Sequence, residues 1–321
     1  VQKLRIIALS VAVVALLAGC AGSNPTLNAF EGITPACDHF QGGKAIDSVE
    51  VTLKDAGAPK VDFATANPKV SFASALSKIS KPESKIVSEG NGPVFTGNEL
   101  VLMDYAVYSS TSGKLAGANK FDGSDAQAIY LDTKTYPVFC NALSGVKQGS
   151  VVALAVPSNA SNPGGSLYVF KLLKVNLPHA NGAAQSPVSG LPQVVRDPKT
   201  GRPGLVPPSF NAPTEFKSAV LIEGKGEVVK STDSVTIHYS LWNWTGALGG
   251  TLESSWDSQP ITLNLATGSI VGLGKALTGV KVGSQVIASM PPADAYGATG
   301  SGSVPANATL LFVIDVLGTD K

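Results

Sequence analysis

Charge is what this 321-residue chain has least of. Asp, Glu, Lys and Arg make up 15% of it, against about a quarter of an average soluble domain. The 24 basic and 23 acidic side chains nearly cancel, so there is no electrostatic footprint for nucleic acid. Histidine and cysteine number three each, and their spacing makes no metal site. His39 stands two residues from Cys37, and two neighbouring donors are not a zinc ligand set. His179 lies in an expected linker, and His238 reads as a packed or surface residue rather than a base. A Ser-His-Asp constellation, a phosphate loop and paired metal ligands are missing too, so neither a cofactor nor a metal is expected. The apolar run from Ile6 to Ala18 is too short to span a bilayer.

What is abundant is glycine (34), proline (21) and hydrophobic residues (44%). That much apolar material supplies a core and excludes a disordered chain. Glycine and proline at this frequency resist long helices and suit strands joined by many turns. At roughly 100–200 residues per domain, the length suggests about two domains.

Residues 1–19 read as a secretory signal peptide: Lys3 and Arg5 are followed by the apolar run and then by Gly19-Cys20. Leu17-Ala18-Gly19-Cys20 also resembles a bacterial lipobox, which implies that Cys20 is acylated and becomes the first mature residue, at the outer face of the membrane. Removing Lys3 and Arg5 leaves 22 basic against 23 acidic side chains. Residues 20–46 are expected to be a tether, small and polar from Ala21 to about Ala36. Outside the membrane thiols can pair. With Cys20 lipidated, Cys37 and Cys140 read most simply as one disulfide, the alternative being two separate buried thiols.

The rest of the chain repeats itself. Val87-Ser88-Glu89-Gly90-Asn91-Gly92 matches Leu221-Ile222-Glu223-Gly224-Lys225-Gly226, 134 residues later. At the same offset Tyr105 falls on Tyr239, and ALSGVKQGS (142–150) falls on ALTGVKVGS (276–284). Separated blocks sharing one offset imply two copies of one domain, expected over 47–176 and 191–321 with a linker at 177–190. The runs 101–108, 234–241, 285–290 and 309–317 are β-rich. Short helices are expected at 138–143 and 271–277. The fold class is therefore α+β: in each copy, an antiparallel sheet wrapped around one short helix.

In the second copy an ordered series of motifs stands out: Val235-Thr236-Ile237-His238-Tyr239, Leu252-Glu253-Ser254-Ser255, Ile270-Val271-Gly272-Leu273, the 276–283 block, Pro291-Pro292-Ala293-Asp294-Ala295-Tyr296-Gly297 and Ala308-Thr309-Leu310-Leu311-Phe312. Over about 218–317 it resembles the FK506-binding-protein type of peptidyl-prolyl cis-trans isomerase. The overall layout resembles the exported tandem isomerase lipoproteins of actinobacteria.

The resemblance implies a prolyl pocket and assigns its parts. Tyr239 lines the wall. Leu252, Glu253 and Ile261 stand where the family usually has Phe, Asp and Phe. Ile270 offers a backbone N–H to a substrate carbonyl, and Leu273 forms the floor. Tyr296 donates its hydroxyl, Val304 and Phe312 close the apolar wall, and residues 298–303 form a flap. The implied partners are proline-containing exported polypeptides, the membrane through the lipid anchor, and macrolide ligands; a monomer is expected. The alternative reading is a non-catalytic chaperone or scaffold that holds proline-containing segments in the same pocket.

The first copy keeps Tyr105, places Phe139 and Phe170 at pocket positions, and has Lys120-Phe121-Asp122-Gly123-Ser124, close to the family's Phe-Asp motif. It lacks the Asp-Ala-Tyr-Gly run and is expected to have little or no isomerase activity. Trp242 and Trp244 are expected in a turn after Tyr239, either packed or exposed for recognition. The lipobox reading carries its own check: Cys20→Ala releases the protein from the membrane fraction, and retention there sinks the reading.

Overall fold

Short strands and glycine turns make up both units into which the chain divides, one ending at Val175 and the other spanning Asn176–Lys321. The computed structural model describes residues 37, 44–52, 68–71, 76, 79–159, 163–244, 251–267 and 270–321. The signal peptide and Cys20 lie outside the described residues.

The N-terminal unit runs α1 (Lys44–Asp47), β1 (Glu50–Thr52), β2 (Lys69–Ser71), β3 (Glu83–Ser88), β4 (Leu100–Ser109), β5 (Leu115–Ala118), β6 (Gln127–Tyr130), α2 (Pro137–Leu143), β7 (Val151–Val156) and β8 (Ser166–Val175). Its main sheet has the order β3-β7-β8-β4-β5, with β6 also pairing β4, and every pairing is antiparallel. Pro137 opens α2, where a missing N–H costs nothing.

The C-terminal unit runs β9 (Ala183–Ala184), β10 (Gln193–Arg196), β11 (Pro203–Val206), β12 (Lys217–Glu223), β13 (Ser234–Asn243), β14 (Glu253–Ser254), β15 (Ile261–Asn264), α3 (Val271–Leu277), β16 (Gln285–Met290) and β17 (Leu310–Asp320). Its sheet has the order β14-β13-β17-β16-β12-β9, with β15 also on β13. Strand for strand, β12, β13, β14, β15, β16 and β17 take the places of β3, β4, β5, β6, β7 and β8. Even the irregularities coincide: β4 and β13 shift register at Leu102/Met103 and Thr236/Ile237, again 134 residues apart.

Strand β13 is buried along its whole interior, from Val235 to Trp242. A strand buried on both faces needs a layer on each side, and period-2 alternation divides its residues between them. Ile237, Tyr239 and Leu241 join Phe312, Ile314 and Val316 of β17 under α3. Trp242 and Trp244 join Leu311, Val313 and Ile287 on the opposite face, covered by Leu191, Val194, Leu205 and Ala212. Burying one tryptophan removes roughly 150–250 Å² from water, on the order of 4–6 kcal/mol at about 25 cal/mol per Å².

Two expectations are revised by this second layer. Trp242 stands in β13, which continues to Asn243, rather than in a turn, and Trp244 follows the strand at a bend; both rings are packed. Residues 177–190 form part of the C-terminal unit: Leu177 N–H donates to Leu317 O at 3.0 Å, Ala180 is buried, and β9 pairs β12. The segment has few apolar side chains, so its attachment runs through backbone bonds that composition does not announce.

The N-terminal unit is likewise two-faced. Ile46, Val49 and Leu76 cover Ala106, Tyr108, Val151 and Val169 on the side away from α2. Ile46 and Cys37, both within the expected tether, are buried in this unit. Cys37 is disulfide-bonded to Cys140 of α2, with a Cα–Cα distance of 5.7 Å and a sequence separation of 103, within the usual range for a disulfide. A cross-link closing so long a loop is worth roughly 2–5 kcal/mol. Reduction should therefore lower the denaturation midpoint of the N-terminal unit by that equivalent; an unchanged midpoint in equilibrium unfolding with and without reductant overturns the expectation.

Candidate active site

Eight of the nine candidate residues meet in one apolar cluster under α3. Tyr239, Leu273, Val304 and Phe312 are buried in it, while Leu252, Ile261, Ile270 and Tyr296 pack at its partly exposed edge. The rings of Tyr239 and Phe312 lie 6.0 Å apart and tilted by 44°. The ninth, Glu253, is exposed and joins the group by accepting the Tyr239 hydroxyl.

Local sequence puts each of them there. Tyr239 and Phe312 come from the neighbouring strands β13 and β17 on the same face, with Leu241 opposite Phe312. Ile270 caps α3 in an extended conformation (φ −67°, ψ 150°), and its carbonyl accepts the Leu273 N–H at 3.0 Å. Tyr296 stands on the connection between β16 and β17. That connection folds as a turn at Pro292–Asp294, and Gly297 N–H returns to Pro292 O at 2.9 Å. Farther on, Ser301 and Val304 exchange backbone bonds of 3.0 and 2.8 Å, which brings Val304 back into the cluster.

Helix and connection are held together at close range. A Cβ at Gly272 would come to 2.5 Å from Met290 Sδ and 2.8 Å from Asp294 O, so only glycine lets α3 approach this tightly. Lys275 Nζ lies 2.7 Å from Asp294 Oδ1. The distance between Ile270 and Tyr296 is thereby fixed from both sides.

The electrostatics favour hydroxyl donors over ions. Burial, then the bond to Glu253 and its charge, push the Tyr239 phenol well above its ordinary value. Burial and the Glu253 charge push Tyr296 up as well. Both phenols stay protonated at physiological pH. Tyr239 spends its proton on Glu253, whereas Tyr296 stands at the open edge.

Behind the sheet a polar network braces these residues. Ser255 Oγ accepts the Tyr239 N–H at 2.8 Å and lies 2.8 Å from His238 Nδ1. The His238 ring stacks on Trp256 at 4.1 Å. On the same face, buried Asp315 accepts Ala180 N–H and Gln285 Nε2, each at 2.7 Å, with Arg196 Nη2 at 3.6 Å. The hairpin β10–β11 is tied down by this pair and by the two-pronged Arg202–Asp257 bridge, at 2.5 and 3.1 Å.

Comparison with known proteins bears on the same stretch. The family model for FKBP-type peptidyl-prolyl cis-trans isomerases matches residues 225–317. A protein named "Probable FK506-binding protein" from Corynebacterium glutamicum is 30% identical over 116 residues, covering 36% of this chain and 97% of the relative. FK506-binding protein 1 of Debaryomyces hansenii is 37% identical over 117 residues, covering 35% of this chain and all of the relative. The chain belongs to the FKBP-type peptidyl-prolyl cis-trans isomerases. Among solved structures, FkpA from Escherichia coli aligns at 28% identity with a TM-score of 0.31, over 35% of this chain and 51% of the other.

The N-terminal unit arranges the corresponding end of its sheet differently. Phe170 and Phe139 lie 5.3 Å apart, and Tyr168, which the sequence reading did not single out, lies 5.1 Å from Phe139 and stacks on Phe170 at 5.6 Å. Tyr136 stacks on Phe139 from the other side. Phe121, matched above to the family's Phe-Asp motif, is instead buried in the cluster on the opposite face, with φ at +56°. The motif match fails on register: Ala118 pairs with Ala106 as Ser254 pairs with Ser240, so Phe121 lies past β5, whereas Leu252 lies just before β14.

Burial, reinforced by the His179 charge, lowers the His238 pKa to about 3. Below its ordinary value near 6.5 the unfolded chain takes up a proton that the folded unit refuses until about pH 3. Stability is therefore lost as pH falls through this window, at up to about 1.4 kcal/mol per pH unit. Asp315, raised by burial, acts in the opposite sense. The His238→Gln variant should show a flatter decline between pH 6.5 and 3 than the parent in denaturant titrations; parallel curves would sink this account.

Proposed function

We propose that this isomerase is a lipid-anchored foldase on the outer face of the cell membrane, acting on proline-containing segments of exported proteins, with its active site in the C-terminal unit. The single observation that carries the site assignment is the convergence of Tyr239, Leu273, Tyr296 and Phe312 on one partly open apolar cluster. An X-Pro bond has a rotation barrier of roughly 18–20 kcal/mol, which arises from amide resonance. Twisting the bond removes that resonance and leaves a less polar amide, so an apolar surface favours the twisted form over the planar one. This is differential binding of the transition state, and a millionfold acceleration requires about 8 kcal/mol of it.

The residues divide that work. Phe312, Leu273 and Val304 hold the prolyl ring away from water. Tyr239, fixed by Glu253 below and Ser255 behind, supplies a rigid wall. Tyr296, protonated at every physiological pH, donates to a substrate carbonyl, and the Ile270 N–H holds the chain on the other side. None of these steps uses an ionised side chain or a bound group. The N-terminal unit is a degenerate FKBP-like copy: residues 157–165 replace the long connection that carries Tyr296, and four aromatic rings fill the space. The signal peptide and lipobox support the surface location, and the absence of a basic surplus supports polypeptide rather than nucleic acid as partner.

One net hydrogen bond is worth roughly 0.5–1.5 kcal/mol. Tyr296→Phe should therefore lower kcat/KM for a proline-containing tetrapeptide by roughly three- to tenfold with the fold intact. Unchanged kcat/KM would overturn the placement of the active site.

A further inference from the structure

Residues 191–216 precede the stretch matched by the family model, yet they build a second concavity. A cavity of about 740 Å³ lies between Pro207, Pro208 and Phe210 on one side and Trp244, Pro291 and Pro292 on the other. None of the residues lining it is charged. Phe210 is 43% exposed, although its ring lies 6.0 Å from that of Trp244. Beside it, Val195 and Val206 are also exposed. Val195 stands opposite Gly204 and Val206 opposite Gln193, so the two valines share the hairpin face turned away from Val194 and Leu205. Large apolar side chains thus continue out of the cavity along the hairpin.

The walls say what would fit. Proline surfaces offer no N–H and little freedom to lose on binding. An uncharged lining selects against nucleic acid and acidic partners and in favour of an apolar, extended chain. The cavity also borders the connection that carries Tyr296. Pro291 and Pro292, both in the lining, open the turn that leads to Tyr296, whereas Thr309, also in the lining, is an odd number of residues from Phe312 and so lies on the other face of the sheet. A client held in the slot reaches the cavity around the end of the sheet, past Pro291 and Pro292.

We infer that this groove is a second docking site for the same unfolded polypeptide whose prolyl bond is isomerised, taking an uncharged apolar stretch a few residues away from the proline. The inference rests on the active site lying in the C-terminal unit.

The test uses the full chain carrying Phe210→Asp, or Asn211→Glu as a second exposed position in the same lining. Three readouts are taken on folded protein: anisotropy with a labelled, reduced and carboxymethylated protein; catalysis of a proline-limited refolding reaction; and isomerisation of a tetrapeptide too short to reach the groove. Each variant should bind the unfolded protein at least fivefold more weakly and raise KM for refolding by a similar factor, with tetrapeptide turnover within twofold of the parent. Parental affinity for the unfolded protein in both variants overturns the inference. Self-association of the parent that the variants lose, with unfolded-protein binding unchanged, also overturns it and assigns the groove to a second copy. A wrong active-site placement shows separately, as a Tyr296→Phe variant of undiminished tetrapeptide turnover, while the anisotropy still reports on the groove.

Discussion

The structure depends on one close approach, made twice. At the end of β12 the backbone of Gly224 comes so near the turn before β16 that a Cβ there would lie 2.2 Å from Val282 O. Gly224 N–H donates to Ser284 Oγ at 2.9 Å, Lys281 reaches Glu223 at 2.9 Å, and Gly283 turns with φ at +90°. In the N-terminal unit Gly90 lies against Gln148 O at the same 2.2 Å, donates to Ser150 Oγ at 2.8 Å, and Lys147 meets Glu89 at 2.7 Å. No residue with a side chain replaces either pair of glycines without moving backbone. Because the clasp holds the segment between α3 and β16, it sets where α3 lies on the sheet, and with it Ile270 and Leu273.

The same sheet separates chemistry from support. Its α3 face holds an apolar slot with phenol donors, suited to a reaction in which charge disappears rather than develops. Its other face holds the buried ionisable groups, Asp315 with its partners Arg196 and Gln285 and the neutral His238 on Trp256, whereas Glu253 on the slot side is exposed. A buried charge so near the prolyl slot would favour the planar, more polar amide and oppose the twist. Placing the charged network one strand thickness away keeps its bracing effect on Tyr239 and the hairpin without that cost.

How much of this the sequence displayed follows from what each feature demands of it. The clasp was legible because it requires glycine, lysine and serine at fixed spacing, and those residues recur 134 positions apart. The helices at 137–143 and 271–277 and the strand cores were legible from period and turn chemistry. The candidate site was legible through an ordered resemblance, since Tyr239, Leu273, Tyr296 and Phe312 are far apart in the chain and no spacing rule joins them. The outer layer was not. Residues 177–216 attach by backbone bonds, two arginine–aspartate pairs and scattered apolar contacts, which leave no periodic trace. Trp242 read as a turn residue because a strand buried on both faces loses the alternation that marks a half-exposed one. Phe121 misled because a short motif match carries no register: it lies past β5, in the cluster on the opposite face.

The two units show what the long connection between β16 and β17 contributes. Strand order, register shift and clasp are common to both, so the units differ in this connection rather than in their framework. In the N-terminal unit only nine residues, 157–165, separate β7 from β8, and Tyr136, Phe139, Tyr168 and Phe170 pack on one another beside α2. Those rings satisfy the hydrophobic demand of the core but leave each other little space to admit a ligand. In the C-terminal unit the smaller Leu273 and the aliphatic Leu252 and Ile261 leave that demand partly unmet. Residues 291–309 meet it with a flexible-length loop rather than fixed rings, and a loop can carry Tyr296 to the edge of the slot while Val304 seals its wall. The aliphatic substitutions and the long connection are therefore two halves of one solution: Leu252 and Ile261 stand at the partly exposed edge of the cluster, and the connection brings Tyr296 and Val304 to it.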